Sequence, residues 1–228
     1  MRMADYFKAT RPDGTDFYTG TIKYEVGLRV SHPTSKRRVK DDPSTYLSVS
    51  TTATDCAGFG WPCRLFRVEG VGRAMTATDL PNKRAFLAVD VVEELPAHEV
   101  FGPQGEHVVA LIERAGRLTA DEAKRLSAAR AEAWPVARDT ARNEARYAAW
   151  DAARNAARDA ATRAAAGDIA WVAGWVTARN AAREAAVALV VRDLIGSSGF
   201  TQTHYNSLTG PWRKVIGPVH PDDAEFKF

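Results

Sequence analysis

Between residues 137 and 160 the chain repeats every four residues without a slip, and this run limits the folds open to it more than any other feature. Ala137, Ala141, Ala145, Ala149, Ala153 and Ala157 open the units, and Arg138, Arg142, Arg146, Trp150, Arg154 and Arg158 follow them. The fourth places hold Thr140, Glu144, Ala148, Ala152, Ala156 and Ala160. Alanine and arginine are among the strongest helix formers, so the repeat predicts a long helix. At ~100° per residue the two alanine columns sit about 60° apart, which makes a narrow stripe of small side chains. Four residues overshoot one turn by about 40°. The stripe therefore winds, and a partner follows it for a few turns or by wrapping right-handedly.

The polar columns of the run support one another. Asp139 precedes Arg142 by three and Asp159 precedes Arg163 by four, spacings that pair opposite charges along a helix. Residues 135–195 hold nine Arg, no Lys and seven Asp plus Glu. A surplus of two is small for a rail that grips phosphates. The columns read instead as a solvated face laced by its own ion pairs.

The remaining bounds are broad. A chain of 228 residues that is 45% apolar and 26% charged is ordered and globular rather than disordered. A formal charge of +3 names no partner. The start, Met1-Arg2-Met3-Ala4-Asp5, has no apolar core of a signal peptide, and no apolar run is long enough to span a bilayer. A cytoplasmic protein without a membrane partner is expected. Cys56 and Cys63 are expected to be free thiols, with a local disulfide as the alternative; six residues between two lone cysteines is not a zinc spacing.

Residues 1–113 read as a β-rich module. Pro12-Asp13-Gly14 sits between β-prone runs and predicts a hairpin of 6–10 with 16–19. Residues 21–27 continue with short alternation. Residues 31–43 form a polar loop carrying Lys36, Arg37, Arg38 and Lys40, followed at once by Asp41 and Asp42. Residues 46–52 and 64–71 read as strands, the second with one buried face. The nearly continuous apolar run 85–92 predicts one central strand, and 108–112 fits either a last strand or a first helical turn. Strands without long intervening helices favour a small antiparallel sheet or open barrel.

Two aspects of chemistry are weighed in this module. Arg37, Arg38 and Lys40 are the candidate nucleic-acid contacts, against the reading of an exposed charged loop. Ser48, Ser50, Thr51 and Thr52 with Glu93 or Glu94 are superficially similar to the serine strand and glutamate of ADP-ribosyltransferases. The valine within that serine motif, and the lack of a placed Arg or His for the dinucleotide, count against that reading. The five histidines are scattered, none at metal-ligand spacing, and no glycine loop precedes a helix with Lys-Ser/Thr. The expectation is therefore no catalytic set, no metal and no cofactor.

Thr119 and Glu122 make a capping box, which predicts a helix over about 120–133. Trp134-Pro135 predicts a kink or break there. After Gly167 the helical pattern grows bulkier. Trp171, Trp175, Val187, Val190, Val191 and Leu194 are the candidate interaction surface, because a helix apolar nearly all round must be covered. The cover is expected from the front module, the C-terminal segment or another copy. Residues 201–208 predict a short capped helix ended by Gly210-Pro211, with another turn at 212–216. His204, Tyr205 and Trp212 form either a small recognition site or a hydrophobic lid.

Residues 85–95, Val100-Phe101-Gly102-Pro103-Gln104-Gly105-Glu106-His107, the alanine-rich repeats, and Thr209-Gly210-Pro211-Trp212-Arg213-Lys214-Val215-Ile216-Gly217-Pro218 resemble uncharacterised proteins of actinobacteria and their phages. In that group a variable number of Ala-Arg-Asp/Trp repeats separates a similar front and back. The resemblance implies a spacer or scaffold more than a catalyst. The sequence thus predicts an α+β chain: a β-rich module over 1–113, a capped connector and alanine-rich helices over 114–195, and a short cap over 196–228. The expected function is a non-enzymatic interaction or scaffold protein of phage or prophage origin, binding a protein partner or itself. The alternatives are a nucleic-acid binder and an ADP-ribosyltransferase-like enzyme.

Overall fold

The computed structural model describes residues 5–56, 60–76, 80–144, 173–192 and 201–225. The chain is α+β and divides into two compact units, Met1–Gly102 and Pro103–Phe228. The first is a six-stranded antiparallel sheet: β1 (Asp5–Thr10), β2 (Arg29–Ser31), β3 (Leu47–Ser50), β4 (Arg64–Gly70), β5 (Lys83–Phe86) and β6 (Ala88–Leu95), in the order β2-β6-β4-β1-β3-β5.

That order has a geometric consequence. Leu87 alone joins β5 to β6, yet β5 forms one edge and β6 lies beside the edge strand at the other end. Phe86 and Ala88 are separated by at most about 7 Å of chain. The sheet must curl until its ends meet, which makes it an open barrel. Tyr24, Val30, Leu47, Val49, Phe66, Val68, Phe86, Val89 and Val91 fill the interior.

The run 85–92 was expected as one strand and is two. Phe86 faces the same interior as Val89 and Val91. Side chains alternate along a strand, so positions 86 and 89 of an unbroken strand face opposite sides. The break at Leu87 resets the alternation and lets all three point inward. Gly70, paired with Val89, leaves room for the Phe86 ring: a Cβ there would lie 2.1 Å from Phe86 Cζ.

The hairpin expected of 6–10 with 16–19 does not form. The Pro12-Asp13-Gly14 turn is present, with Gly14 at φ +85° and its N–H donating to Arg11 O at 2.9 Å. β1 then pairs with β3 and β4 instead. The returning chain wraps the buried Asp16 carboxylate, which accepts Thr19 N (2.6 Å), Thr21 N (3.2 Å) and Ile22 N (3.0 Å). Backbone donors held by a carboxylate are not free for a ladder. Residues 21–27 likewise form no strand; Lys23 makes one isolated bridge to Thr15, and Tyr24 is buried in the barrel.

The second unit is helical: α1 (Gly105–Gly116), α2 (Ala120–Glu144), α3 (Ala173–Val191) and α4 (Gln202–Val215). Residues 108–112 belong to α1, where Val108, Leu111 and Ile112 are buried at helical spacing. The front module therefore ends before 113, and connector, alanine-rich helix and C-terminal cap share one unit. The Thr119 capping box forms, with Glu122 Oε2 accepting Thr119 N at 2.9 Å and Thr119 Oγ1 accepting Glu122 N at 3.2 Å. α2 passes through Trp134-Pro135 without ending. α4 likewise continues through Gly210-Pro211. A proline removes one amide from the ladder, and packing of α2 and α4 on each other and on α3 holds both helices across it.

The alanines of α3 explain how closely these helices meet. Ala181, Ala182, Ala185, Ala186 and Ala188 are all buried, and so are Ala123 and Ala129 of α2. α3 packs on α1, α2 and α4 of its own chain. Among the described residues, no helix is long and apolar enough to cross a membrane. Of the four-residue repeats, 145–160 lie outside the described residues.

Candidate functional site

The barrel has a seam between the outer edges of β2 and β5, and the groove of interest lies there. His32, just after β2, donates its N–H to Leu87 O at 2.7 Å. Residues 73–75 cover the edge of β5, with Ala85 N donating to Met75 O at 2.8 Å and Met75 N to Ala85 O at 3.2 Å. Arg38 reaches in from the polar loop: its Nη1 donates to Ala85 O at 2.7 Å and to Arg73 O. A groove of about 500 Å³ remains, lined by Lys36, Arg37, Arg38 and Arg73. Ala74, Met75 and Leu87 supply its apolar lining.

The charge here is local. Residues 1–102 carry fourteen Lys and Arg against thirteen Asp and Glu, so the unit as a whole is nearly neutral. Elsewhere three of its arginines are matched by carboxylates, while Arg11 and Arg84 donate to backbone carbonyls. Arg29 pairs with Asp90 at 2.7 Å, Arg64 with Glu94 at 2.6 Å, and Arg67 with Asp5 at 2.9 Å and Glu93 at 3.0 Å. Hydrogen bonds from Arg29 and Arg64 hold the Asp90 and Glu94 carboxyls below their usual range. Among the described residues Lys36, Arg37 and Arg73 have no carboxylate partner, and no acidic side chain lines the groove. Like charges gathered in a concave site reinforce one another's field, which favours an anion.

Of the sequence candidates, Arg37 and Arg38 line this groove and Lys40 does not. Arg38 is half-buried and bonded to two carbonyls, so it builds the wall, whereas Lys36 and Arg37 are exposed. The loop is shaped by its own polar groups. His32 Nδ1 accepts Ser35 N at 2.9 Å, and Thr45 Oγ1 accepts Val39 N at 2.9 Å. Arg73 was not foreseen. It sits far along the chain beyond β4, and its only local signal is a lone arginine after the turn at Val71-Gly72.

A second polar cluster lies on the outer face of β3 and β5. The register places Ser50 opposite Lys83. Lys83 Nζ donates to Ser50 Oγ at 2.6 Å and to Asp55 O at 2.7 Å, and Cys56 Sγ donates to the same hydroxyl at 3.2 Å. Asp55 in turn accepts Asn82 Nδ2 at 2.6 Å. Burial lowers the Lys83 amine and raises the Cys56 thiol. Ser50 is only 1% exposed, so the array braces the strand ends rather than presenting a nucleophile. The Cys63 thiol is pushed up to about 12 by burial; both thiols are free and held in their unreactive form.

The transferase constellation is not assembled. Ser50 is enclosed by Lys83 and Cys56, while Glu93 and Glu94 sit on β6, separated from β3 by β4 and β1 in the sheet. Both glutamates are engaged by arginines of β4. Among the described residues no cluster of His, Cys, Asp and Glu fits a metal ion.

The helical unit answers two further expectations. Val187 is 4% exposed and enclosed by helices of its own chain, so it offers no outward surface; Val190 is half-buried. Trp171 and Leu194 lie outside the described residues, as do the side chains of Trp175 and Val191. His204, Tyr205 and Trp212 are all buried. His204 Nδ1 accepts Thr201 N at 2.9 Å as a cap, and Tyr205 OH donates to Asp223 at 3.1 Å. The trio is a lid, tied down by Asp223, which also accepts Val219 N and His220 N at 3.1 Å each.

No family model matches the chain, and no curated protein or solved structure is significantly similar to it.

Proposed function

We propose that this chain is a non-enzymatic binding protein whose barrel unit holds nucleic acid by its phosphates, with the helical unit setting spacing between bound partners. One observation carries the reading: in a nearly neutral unit, four basic side chains line one groove, and among the described residues Lys36, Arg37 and Arg73 there have no carboxylate partner. Lysine and arginine offer donors only, which suits phosphate oxygens. The paired glutamates and the enclosed Ser50 support a non-enzymatic role over a transferase. The interior burial of Val187 favours a bundle complete within one chain over self-association through that surface. An origin in phage or prophage, and a cytoplasmic setting, are part of the proposal and rest on the resemblance of the front, repeats and end motif to phage proteins.

The test is binding of a labelled oligonucleotide by fluorescence anisotropy over a salt series. Three to four phosphate contacts give a log–log slope of about −2 to −4. The double variant Arg37→Gln, Arg73→Gln is expected to flatten that slope by about two contacts' worth. Absence of binding at low salt, or a slope unchanged by the double variant, rejects the reading.

A further inference from the structure

We infer that the groove takes a single, unpaired strand of nucleic acid rather than a duplex, and takes it with little regard for sequence. This rests on the phosphate-binding reading above and narrows it. The first ground is the mixed character of the groove. Lys36, Arg37 and Arg73 need anions, but Ala74, Met75 and Leu87 between them need an apolar face to cover them. A duplex keeps its base faces stacked inside and presents sugar and phosphate to a protein surface. An unpaired strand presents both phosphate and base face at once.

The second ground is size. A groove of about 500 Å³ falls in the range that encloses one drug-sized ligand, on the scale of one or two nucleotides. The methionine thioether is polarizable and adjusts its shape, so Met75 suits a flat ring of any base.

The third ground sets the lack of sequence preference. Among the described residues the side chains lining the groove are donors or apolar, with the weak Met75 thioether as the one acceptor. The two carbonyls at its wall, Arg73 O and Ala85 O, already accept from Arg38. Reading a base edge takes a pattern of donors and acceptors, and this lining has only half of one.

The experiment compares fluorescently labelled oligo-dT, oligo-dA and a mixed-sequence duplex, each of about 12 units to exceed one site, on the full chain at fixed low salt. The two single strands are expected to bind within a few-fold of each other and about tenfold tighter than the duplex, as covering one base face allows. Met75→Gln, which keeps the size of the side chain, is expected to erase the single-strand advantage while leaving the salt slope. Arg73→Gln is expected to lower the slope by about 0.7. Duplex binding equal to or tighter than single-strand binding overturns this inference and leaves the phosphate reading standing. No binding of any of the three overturns both. The comparison of strands on the unsubstituted protein decides the question even if Met75→Gln fails to fold.

Discussion

The two units of this chain use the same residue, arginine, to opposite ends. In the helical unit several basic side chains tie elements together. Arg130 of α2 pairs with Glu184 of α3 at 2.6 Å, and Arg192 pairs with Asp222 at 2.8 Å. Arg114 of α1 pairs with Glu122 of α2, and Lys214 of α4 reaches Glu132 of α2 at 2.7 Å. Each joins elements that packing has already brought together. In the barrel unit Arg29, Arg64 and Arg67 are paired with carboxylates and Arg84 bonds backbone carbonyls, but the seam loops keep Lys36, Arg37 and Arg73 without carboxylates among the described residues. Basic residues point to a binding site when their partners are missing, not when they are numerous.

Substitutions can break or sharpen this contrast. The largest effect is expected inside the barrel. Gly70→Ala puts a methyl group against the buried Phe86 ring and is expected to cost about 3 kcal/mol, at the upper end for overpacking. Urea unfolding followed by hydrogen exchange of the barrel strands reads it, since five of the six tryptophans belong to the helical unit. An equal shift in the helical circular dichroism transition would show that the two units unfold together, and would blunt the comparison.

Next comes the interhelical pair. Glu184→Gln removes the carboxylate that joins α3 to the partly buried Arg130 and is expected to cost about 2 kcal/mol, below the value for a fully buried pair. The matching cut in the groove, Arg37→Gln, is expected to change stability by less than about 0.5 kcal/mol, as at an unpaired surface site. A cost at Arg37 equal to that at Glu184 would contradict the division between structural and free cations.

Acid tests the barrel unit through Asp16. Hydrogen bonds from the Thr19 side chain and from Thr19 and Ile22 N–H overcome the opposing cost of burial and bring the Asp16 carboxyl down to about 2. Its folded value is below its unfolded value, so the stability it adds is complete above pH ~4 and is lost as pH falls from there toward 2. The loss should appear as faster hydrogen exchange of the barrel strands at low pH. Asp16→Asn should be less stable at neutral pH and lack that acid-dependent step.

The smallest expected difference lies within the groove itself. Arg38→Gln removes donors to two carbonyls at the barrel seam and is expected to cost about 1 kcal/mol. Arg73→Gln, at an exposed side chain, is expected to cost almost nothing while weakening oligonucleotide binding. Thermal melts of the two variants, set beside their anisotropy curves, separate the residue that builds the groove from the one that faces the ligand.

Much of the local structure was legible before the fold was known. β3 and β4, the Thr119 cap and the helical character of 120–133 follow from alternation, capping chemistry and propensity. The misreadings share a cause. A continuous apolar run at 85–92 says nothing of the barrel curvature that forces a break at Leu87. The β-prone residues after Gly14 say nothing of Asp16 collecting their backbone donors. Pro211 is a breaker by local rules, yet it lies within α4; at Pro135 the break does not occur, since α2 continues past it. The groove was half legible: the Lys36-Arg37-Arg38 cluster is visible as a run of charge, and Arg73 is not.

By itself, then, the sequence determined which segments are strands or helices wherever the deciding contacts lie within a few residues. It also set the composition of the alanine face and the basic run of the seam loop. Tertiary structure alone decided strand order, the division of β5 from β6, and which cations go unpaired. The physical reason is the range of the forces. Propensity and capping act over one turn, whereas burial, ladder pairing and ion pairing join residues such as Arg29 and Asp90, or Arg38 and Ala85, that only folding brings within reach.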